Sequence, residues 1–377
     1  MRLRCRMAAL AKDERANEED MSMKAIQVGS IGLGNISRGV HLPGIEKSPD
    51  LSLYAICDLD PQRLQEVGER YAVPESRRFT DYRQLIACPG VEAVDISTPN
   101  DCHFPIAMEA VRAGKPYCLE KPVTMNADQA RELAQATEAK GLKSMVCFSY
   151  RFKPAARFAR ELVQRGELGC LYHVDMQYFQ AWGLPAAACK YVWRYEKRRT
   201  GSGALGDLGS HALDLCAFVT GKHVESLVGH TGTYVKERPL LDGSGMGQVD
   251  VDDFSNYMAQ LEDGISASFQ ITRFAFGRGN YQRMEIYGEK GALVYVLDET
   301  PDQDELYLCQ GEVGRETRAF QRLPIPQRFR ADQMQAFADR LLDKEDGLAA
   351  DIRDGLANQR QLDAVILSAQ EGRWVQP

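Results

Sequence analysis

The 377-residue chain has no surplus of positive charge: 46 lysines and arginines face 53 aspartates and glutamates, a net charge of -7. With no basic excess or stripe, there is no electrostatic reason to expect a nucleic-acid partner. Nor is there a run of about 18 apolar residues, which excludes a membrane-spanning helix. The first residues hold only a short apolar run, Met7 to Leu10, before a charged stretch, so no secretory signal is expected. Ten cysteines lie scattered without CxxC spacing. A chain of this size does not need disulfide staples, so the pattern fits a reducing cytoplasm. These absences leave a soluble protein with a small-molecule ligand as the expectation.

What is present is enough apolar material, 44% of residues, to fill two cores. Residues 1–23 read as a disordered or mis-started extension, with Met21 or Met23 opening the folded part. From 24 to 146, β-rich runs (AIQVGSIG, LSLYAICD, AVDISTP, PYCLEKPV, KSMVCFSY) alternate with helical stretches at Pro61 to Tyr71, Asp81 to Ile86, Pro105 to Ala113 and Ala127 to Lys140, the last capped by Asn126. That alternation predicts a doubly wound α/β domain around a parallel sheet.

From 147 to 377 the texture changes. A helix (Pro154 to Arg165), a strand (Leu171 to Phe179) and a helix (Gly203 to Thr220) precede the runs YMAQLED, ISASFQITRFAFG, YQRMEIYG and ALVYVL. DG and EKG turns join two pairs of these runs, which predicts a mostly antiparallel sheet in an α+β domain. Pro301, Pro324 and Pro326 bracket a weakly patterned stretch, and closing helices are expected over Ala331 to Leu342 and Gly355 to Ser368.

In QVGSIGLGNIS the first run enters a G-x-G-x-x-S loop of Gly32, Leu33, Gly34, Asn35, Ile36 and Ser37. Gly32 allows a tight turn, and Gly34 lets backbone approach a pyrophosphate at the positive end of the following helix. The next run ends in Asp58, near the spacing of a carboxylate that binds a ribose 2′-hydroxyl. Asp58 would repel a 2′-phosphate and so favours NAD, while the nearby Arg63 keeps NADP open. The bland alternative makes the glycines a plain turn and Asp58 a helix cap. Thr98, Pro99 and Asn100 end the third run, where the ligand crevice of such a sheet lies. His103, just beyond, is either a cofactor contact or a packing residue. Lys121 in CLEKPV, with Asp207 and His211 in GSGALGDLGSH, offers groups suited to proton chemistry.

Thr98-Pro99-Asn100 with His103, AGKPYCLEKPV, SYRFKP, VWRYEKRRTGSGALGDLGSHALDL, VDVDDF and MEIYGEKGAL together resemble the Gfo/Idh/MocA oxidoreductases, in particular their levoglucosan and inositol dehydrogenase branch. The resemblance covers nearly everything after Lys24. It implies a Rossmann domain, a second domain built on a large, mostly antiparallel sheet that often also serves as a dimer surface, and an active site between them. A homodimer or homotetramer is therefore expected. By the same resemblance Lys121 is the active-site lysine, Asp207 and His211 are its acidic and histidine partners, Glu120 lies near the nicotinamide ribose, and Trp193 and Arg194 lie near the nicotinamide. Ser37 in place of the third loop glycine departs from the pattern.

Oxidising a secondary alcohol needs a base beside the hydroxyl and a cation near the developing oxyanion, and His211 and Lys121 can supply them in either assignment. If Gly203 to Thr220 is one α-helix, Asp207 and His211 share a face at i and i+4, with Asp214 one turn further along the same polar stripe. Asp207 would then orient the imidazole or bond a substrate hydroxyl. Tyr150, Arg151, Trp182, Trp193, Arg194 and Tyr195 suit sugar recognition, with Tyr150 and Arg151 as substrate contacts. Further ligands for a metal beside Asp207 and His211 are missing from any nearby motif, so no metal is expected. The leading expectation is an NAD-dependent dehydrogenase of a cyclic sugar, anhydrosugar, polyol or glycoside. Redox-assisted glycoside cleavage with retained NAD and a non-enzymatic nucleotide-binding regulator are the alternatives.

Overall fold

A computed structural model describes residues 25–298 and 304–377. The expectations for residues 1–23 and for Pro301 lie outside the described residues. In the first half, β1 (Ile26–Ile31), β2 (Leu51–Cys57), β3 (Arg78–Phe79), β4 (Ala93–Ile96), β5 (Tyr117–Leu119) and β6 (Ser144–Val146) form a parallel sheet in the order β3-β2-β1-β4-β5-β6. Helices α1 (Leu42–Lys47), α2 (Pro61–Arg70), α3 (Tyr82–Ala87), α4 (Asn100–Arg112) and α5 (Ala127–Ala139) connect the strands. The order reverses between β1 and β4, which opens a crevice at the carboxyl edge of the sheet. Helix α5 starts as its sequence implies, with the Asn126 side chain accepting from the Gln129 N–H. Helix α4 starts earlier than Pro105, which lies inside it. The two-residue β3 is too short to show a pattern.

The second half contains α6 (Pro154–Gln164), β7 (Leu171–Phe179), α7 (Lys197–Thr200), α8 (Ser210–Thr220), β8 (Val224–Gly232), a small hairpin of β9 (Glu237–Pro239) and β10 (Met246–Gln248), β11 (Phe254–Leu261), β12 (Ser266–Thr272), β13 (Tyr281–Gly288), β14 (Gly291–Leu297), β15 (Glu305–Gln310), α9 (Gly311–Thr317), β16 (Gln321–Arg322), α10 (Gln333–Leu341) and α11 (Ile352–Glu371). Eight of these strands form one sheet, ordered β16-β15-β14-β13-β7-β12-β11-β8. Every pairing in it is antiparallel except that of β7 with β12. Residues of α6, α8 and α11, among them Ala159, Leu215 and Val365, bury one face of this sheet in a core with Met176, Phe269, Ile286 and Leu306. The stretch after Pro301 thus carries β15 and α9, which its composition did not suggest.

Packing does not follow the order of the chain. Met334, Phe337 and Ala338 of α10, with Ala349, join the core of Val28, Leu42 and Ile56 in the first half, and Ala350 and Ile352 pack with Val94 and Ile96. Val146 N–H donates to Ala350 O at 3.0 Å, so the returning chain also meets the β6 edge.

Candidate active site

At the end of β1, Gly32 has φ of 88°, and a Cβ on it would lie 2.7 Å from the Ser97 carbonyl oxygen at the end of β4. Positive φ and that approach together require glycine. Two residues on, a Cβ on Gly34 would meet no atom within 4 Å, so the loop presents open backbone to the crevice. Leu33 N–H donates to Asp58 Oδ2 at 2.7 Å, and Asp60 N–H donates to Oδ1 at 2.9 Å. The cap of α2 is Asp60, not Asp58. Arg63 pairs with both carboxylates, at 3.3 Å in each case. The Thr98 hydroxyl is buried with no hydrogen-bond partner, and Asn100 Nδ2 donates to Thr200 O at 3.0 Å. A glycine cradle, a carboxylate fixed beside it and an orphaned hydroxyl are a donor and acceptor set that fits a dinucleotide.

These groups form one end of a cleft of about 500 Å3 that Asn35, Ile36, Pro99, Glu120, Trp193 and Arg194 also line. Lys121, Tyr150, Asp207 and His211 line the same cleft. Lys121 Nζ donates to Asp207 Oδ1 at 3.1 Å and to its carbonyl oxygen at 2.9 Å, while Arg273 Nη2 stands 3.2 Å from Asp207 Oδ2. Burial would raise the Asp207 carboxyl, but Lys121 and Arg273 outweigh it and hold the group well below the usual carboxylate range. Asp207 is thus a permanent anion shared by two cations.

His211 sits among rings: Tyr150 meets it edge-on at 4.7 Å and Phe148 at 6.2 Å. Burial, then the charge of Lys121, pushes its pKa well below the ordinary imidazole value, so the ring is neutral at neutral pH. Its Nδ1 is buried without a hydrogen-bond partner, and Asp207 makes no hydrogen bond to the ring. The contact in which Asp207 would orient the imidazole is therefore not made. The local helix explains this. Asp207 lies in a π-helical turn, Leu205–Gly209, and His211 in α8, so the two do not stack as in one regular α-helix. Asp252 holds the start of that turn, accepting from Gly203 N–H at 2.6 Å and Leu205 N–H at 2.7 Å. A Cβ on Gly203 would lie 1.9 Å from the Asp252 carbonyl oxygen, so the close docking of this helix requires glycine as well.

Four expected contacts fall elsewhere: Trp182 and Tyr195 lie off the cleft lining, packed in a small cluster with Val249 and Val251, and His103 and Arg151 turn to other partners. His103 is buried off the cleft lining, with Nδ1 2.8 Å from Pro122 O and Nε2 2.9 Å from Thr98 O, and braces the loops that carry Lys121 and Asn100. Arg151 turns into the core, where Nε and Nη2 hold Asp214 at 2.6 to 3.1 Å and Nη1 reaches Asp354 at 3.3 Å. Asp214 consequently faces Arg151 rather than the cleft. A guanidinium in this position satisfies the buried Asp214 and the half-buried Asp354, which outweighs exposure to a ligand. Among the described residues, the cleft also takes Tyr178, Gln180 and Arg273, which the motifs did not single out. Their signal was alternation: Ile265, Ala267, Phe269 and Ile271 are buried in step, and the next residue in that phase is Arg273, 1% exposed. A charge in the apolar phase of a strand marks a buried partner.

Two family models match this chain: residues 26–148 fit the oxidoreductase family with an NAD-binding Rossmann fold, and residues 156–294 fit the GFO/IDH/MocA C-terminal domain. Levoglucosan dehydrogenase of Pseudarthrobacter phenanthrenivorans is 31% identical over 277 residues, covering 70% of this chain and 69% of that one. The chain belongs to the Gfo/Idh/MocA oxidoreductase family. Inositol 2-dehydrogenase of Rhizobium meliloti is 26% identical over 356 residues, 93% of this chain and 98% of that one. A solved structure of levoglucosan dehydrogenase in complex with NADH matches with a TM-score of 0.84 at 27% identity, over 94% of this chain and 99% of that chain. The Gfo/Idh/MocA resemblance read from CLEKPV and GSGALGDLGSH thus extends through both domains, and the NAD-binding Rossmann fold agrees with the cradle at Gly32, Gly34 and Asp58.

Proposed function

We propose that the chain is an NAD-dependent dehydrogenase acting on a secondary alcohol of a cyclic sugar, anhydrosugar, polyol or glycoside. The observation that carries this reading is the continuity of one cleft from the Gly34 cradle to Lys121, Asp207 and His211. Bound NAD would supply the hydride acceptor, held by the backbone at Gly32 to Ile36, by Asp58 and by the Thr98 and Asn100 side chains. The 2.7 Å bond from Leu33 N–H fixes the Asp58 carboxylate where a 2′-phosphate would meet it, and Arg63 is engaged with Asp58 and Asp60. Both features favour NAD over NADP.

In this mechanism Asp207, clamped by Arg273, sets the position of the Lys121 ammonium, which donates to the alcohol oxygen and stabilises its developing negative charge. His211, uncharged in its aromatic surroundings, takes the hydroxyl proton. Tyr150, Tyr178, Gln180 and Trp193 offer ring faces and hydrogen-bonding groups for a polyhydroxylated ring. The nine cysteines among the described residues are free, which supports a reducing cytoplasmic setting; no described helix is long and apolar enough to cross a membrane. Exposed Met258 and Tyr287 on the uncovered face of the eight-stranded sheet support a homodimer or homotetramer.

The test is turnover. Purified protein with NAD or NADP is offered levoglucosan, inositols and simple glucosides, and NADH or NADPH formation is followed. Oxidation of one of these classes with NAD preferred is expected; no turnover with any of them removes the proposal.

A further inference from the structure

Behind the cleft, a polar chain crosses the core of the first half. Ser30 Oγ on β1 donates to Asp95 Oδ2 on β4 at 2.7 Å, Asp95 Oδ1 lies 2.7 Å from His41 Nδ1, and His41 Nε2 lies 3.0 Å from Glu120 Oε1. Ser30, His41 and Asp95 are fully buried, and Glu120 is 8% exposed, where it lines the cleft. Glu120 Oε2 accepts from the Lys121 N–H at 3.2 Å, so the same carboxylate also touches the backbone of the lysine.

Each imidazole nitrogen faces a carboxylate oxygen, and a neutral ring would point a lone pair at one of them. The ring is therefore an imidazolium. Burial opposes that charge, but Asp95 first, then Cys147, and last the hydrogen bond to Glu120 outweigh it and hold the His41 pKa well above its ordinary value. Cys147, which approaches His41 and Glu120 closely enough for the three to suggest a metal site, adds no ligand set, because both ring nitrogens are committed to carboxylates. The arrangement is that of a brace: a buried charge fixed at its rear by Asp95 and bearing on Glu120 at its front.

We infer that His41 is a positioning residue for nucleotide binding, acting through Glu120, whose carboxylate it fixes at the cleft floor. The inference rests on the proposed nucleotide site but not on the identity of the alcohol. An unbraced Glu120 would swing between rotamers, and ordering it on each binding event would weaken the complex.

The test is equilibrium titration of NAD and NADH on the full chain, read by protein fluorescence. Because His41→Gln alone leaves Asp95 buried with an uncompensated charge, the main variant is His41→Gln with Asp95→Asn, which removes both charges and retains hydrogen-bonding groups. The expected result is a rise of about tenfold in both dissociation constants, the size of one charged hydrogen bond. Adding Glu120→Gln to that background should weaken binding less than about twofold further, although alone it weakens wild type by about tenfold, because residues acting through one another are not additive. If the double variant does not fold, Asp95→Asn alone carries the same comparison. Dissociation constants within about twofold of wild type in a folded variant, or full additivity with Glu120→Gln, would overturn the inference. Wild-type protein that binds neither nucleotide would overturn the proposed function instead.

Discussion

At the nucleotide end of the cleft the working groups are backbone and small residues, Gly32, Gly34, Leu33 N–H and Thr98, whereas at the other end they are long side chains, Lys121, Asp207, Arg273, Tyr150 and His211. The first end comes largely from consecutive residues at the tips of β1, β2 and β4. The second is assembled from positions scattered between residue 121 and residue 273, and its two cations, Lys121 and Arg273, share the single anion Asp207. A change at the nucleotide end should thus alter affinity locally. At the other end, removing either cation leaves the half-buried Asp207 with a single partner, and removing Asp207 leaves two cations without their shared anion.

The strongest way to break this contrast is Lys121→Ala, which removes half of the Asp207 clamp and, on the proposed mechanism, the cation at the reacting oxygen. A fall in kcat of about a thousandfold is expected, with NADH affinity nearly unchanged. Steady-state kinetics alongside nucleotide titration would show it, and comparable losses in both quantities would merge the two ends.

Next come the two buried arginines, each set on an aspartate of the same helical segment. Arg151→Leu strands Asp214 and should lower stability by about 3–5 kcal/mol in denaturant unfolding while leaving kcat per folded molecule intact. Arg273→Leu should instead lower kcat by about tenfold to a hundredfold, because Asp207 loses its anchor. Equal effects of the two substitutions on kcat would contradict the division between core and cleft.

A smaller effect is expected of Asp58→Ser, which should shift the NADP-to-NAD ratio of kcat/KM by about tenfold toward NADP. No shift would mean that the carboxylate serves only to close the loop.

The subtlest effect concerns pH. Burial and Lys121 hold the His211 pKa below its ordinary value, so the base form persists in acid. The kcat/KM for alcohol oxidation should therefore stay level as pH falls through about 6.5 and decline only lower. A pH profile with its acid limb near 6.5 would place the imidazole in water.

Much of this was legible because it is local. The alternation of strands and helices to Val146, the loop from Gly32 and the acid at Asp58 each declare themselves within a few residues, as does the strand Leu171–Phe179. Elements specified by tertiary contact were harder to see. The polarity of His103 and Arg151 suggested a ligand, but their partners, Pro122 O and Asp214, become visible only once the chain is folded. His41 gave no local signal, since the carboxylates that hold it are Asp95 and Glu120, both distant in sequence. The π-helical turn at Leu205–Gly209 is likewise held by a residue distant in sequence, Asp252 in the loop before β11, which accepts from the N–H groups of Gly203 and Leu205 at its start.

The return of α10 and of residues 349–352 to the first half carries a lesson for anyone cutting this gene. A fragment ending at Val146 would leave Val28, Leu42 and Ile56 without Met334, Phe337 and Ala349, and would strip β6 of the chain that meets it at Ala350. Such a piece would expose a greasy surface and an unguarded strand border, an invitation to clump with its neighbours. The core of the first half is accordingly built from two separate stretches of chain, and a soluble version should need its tail segment grafted back.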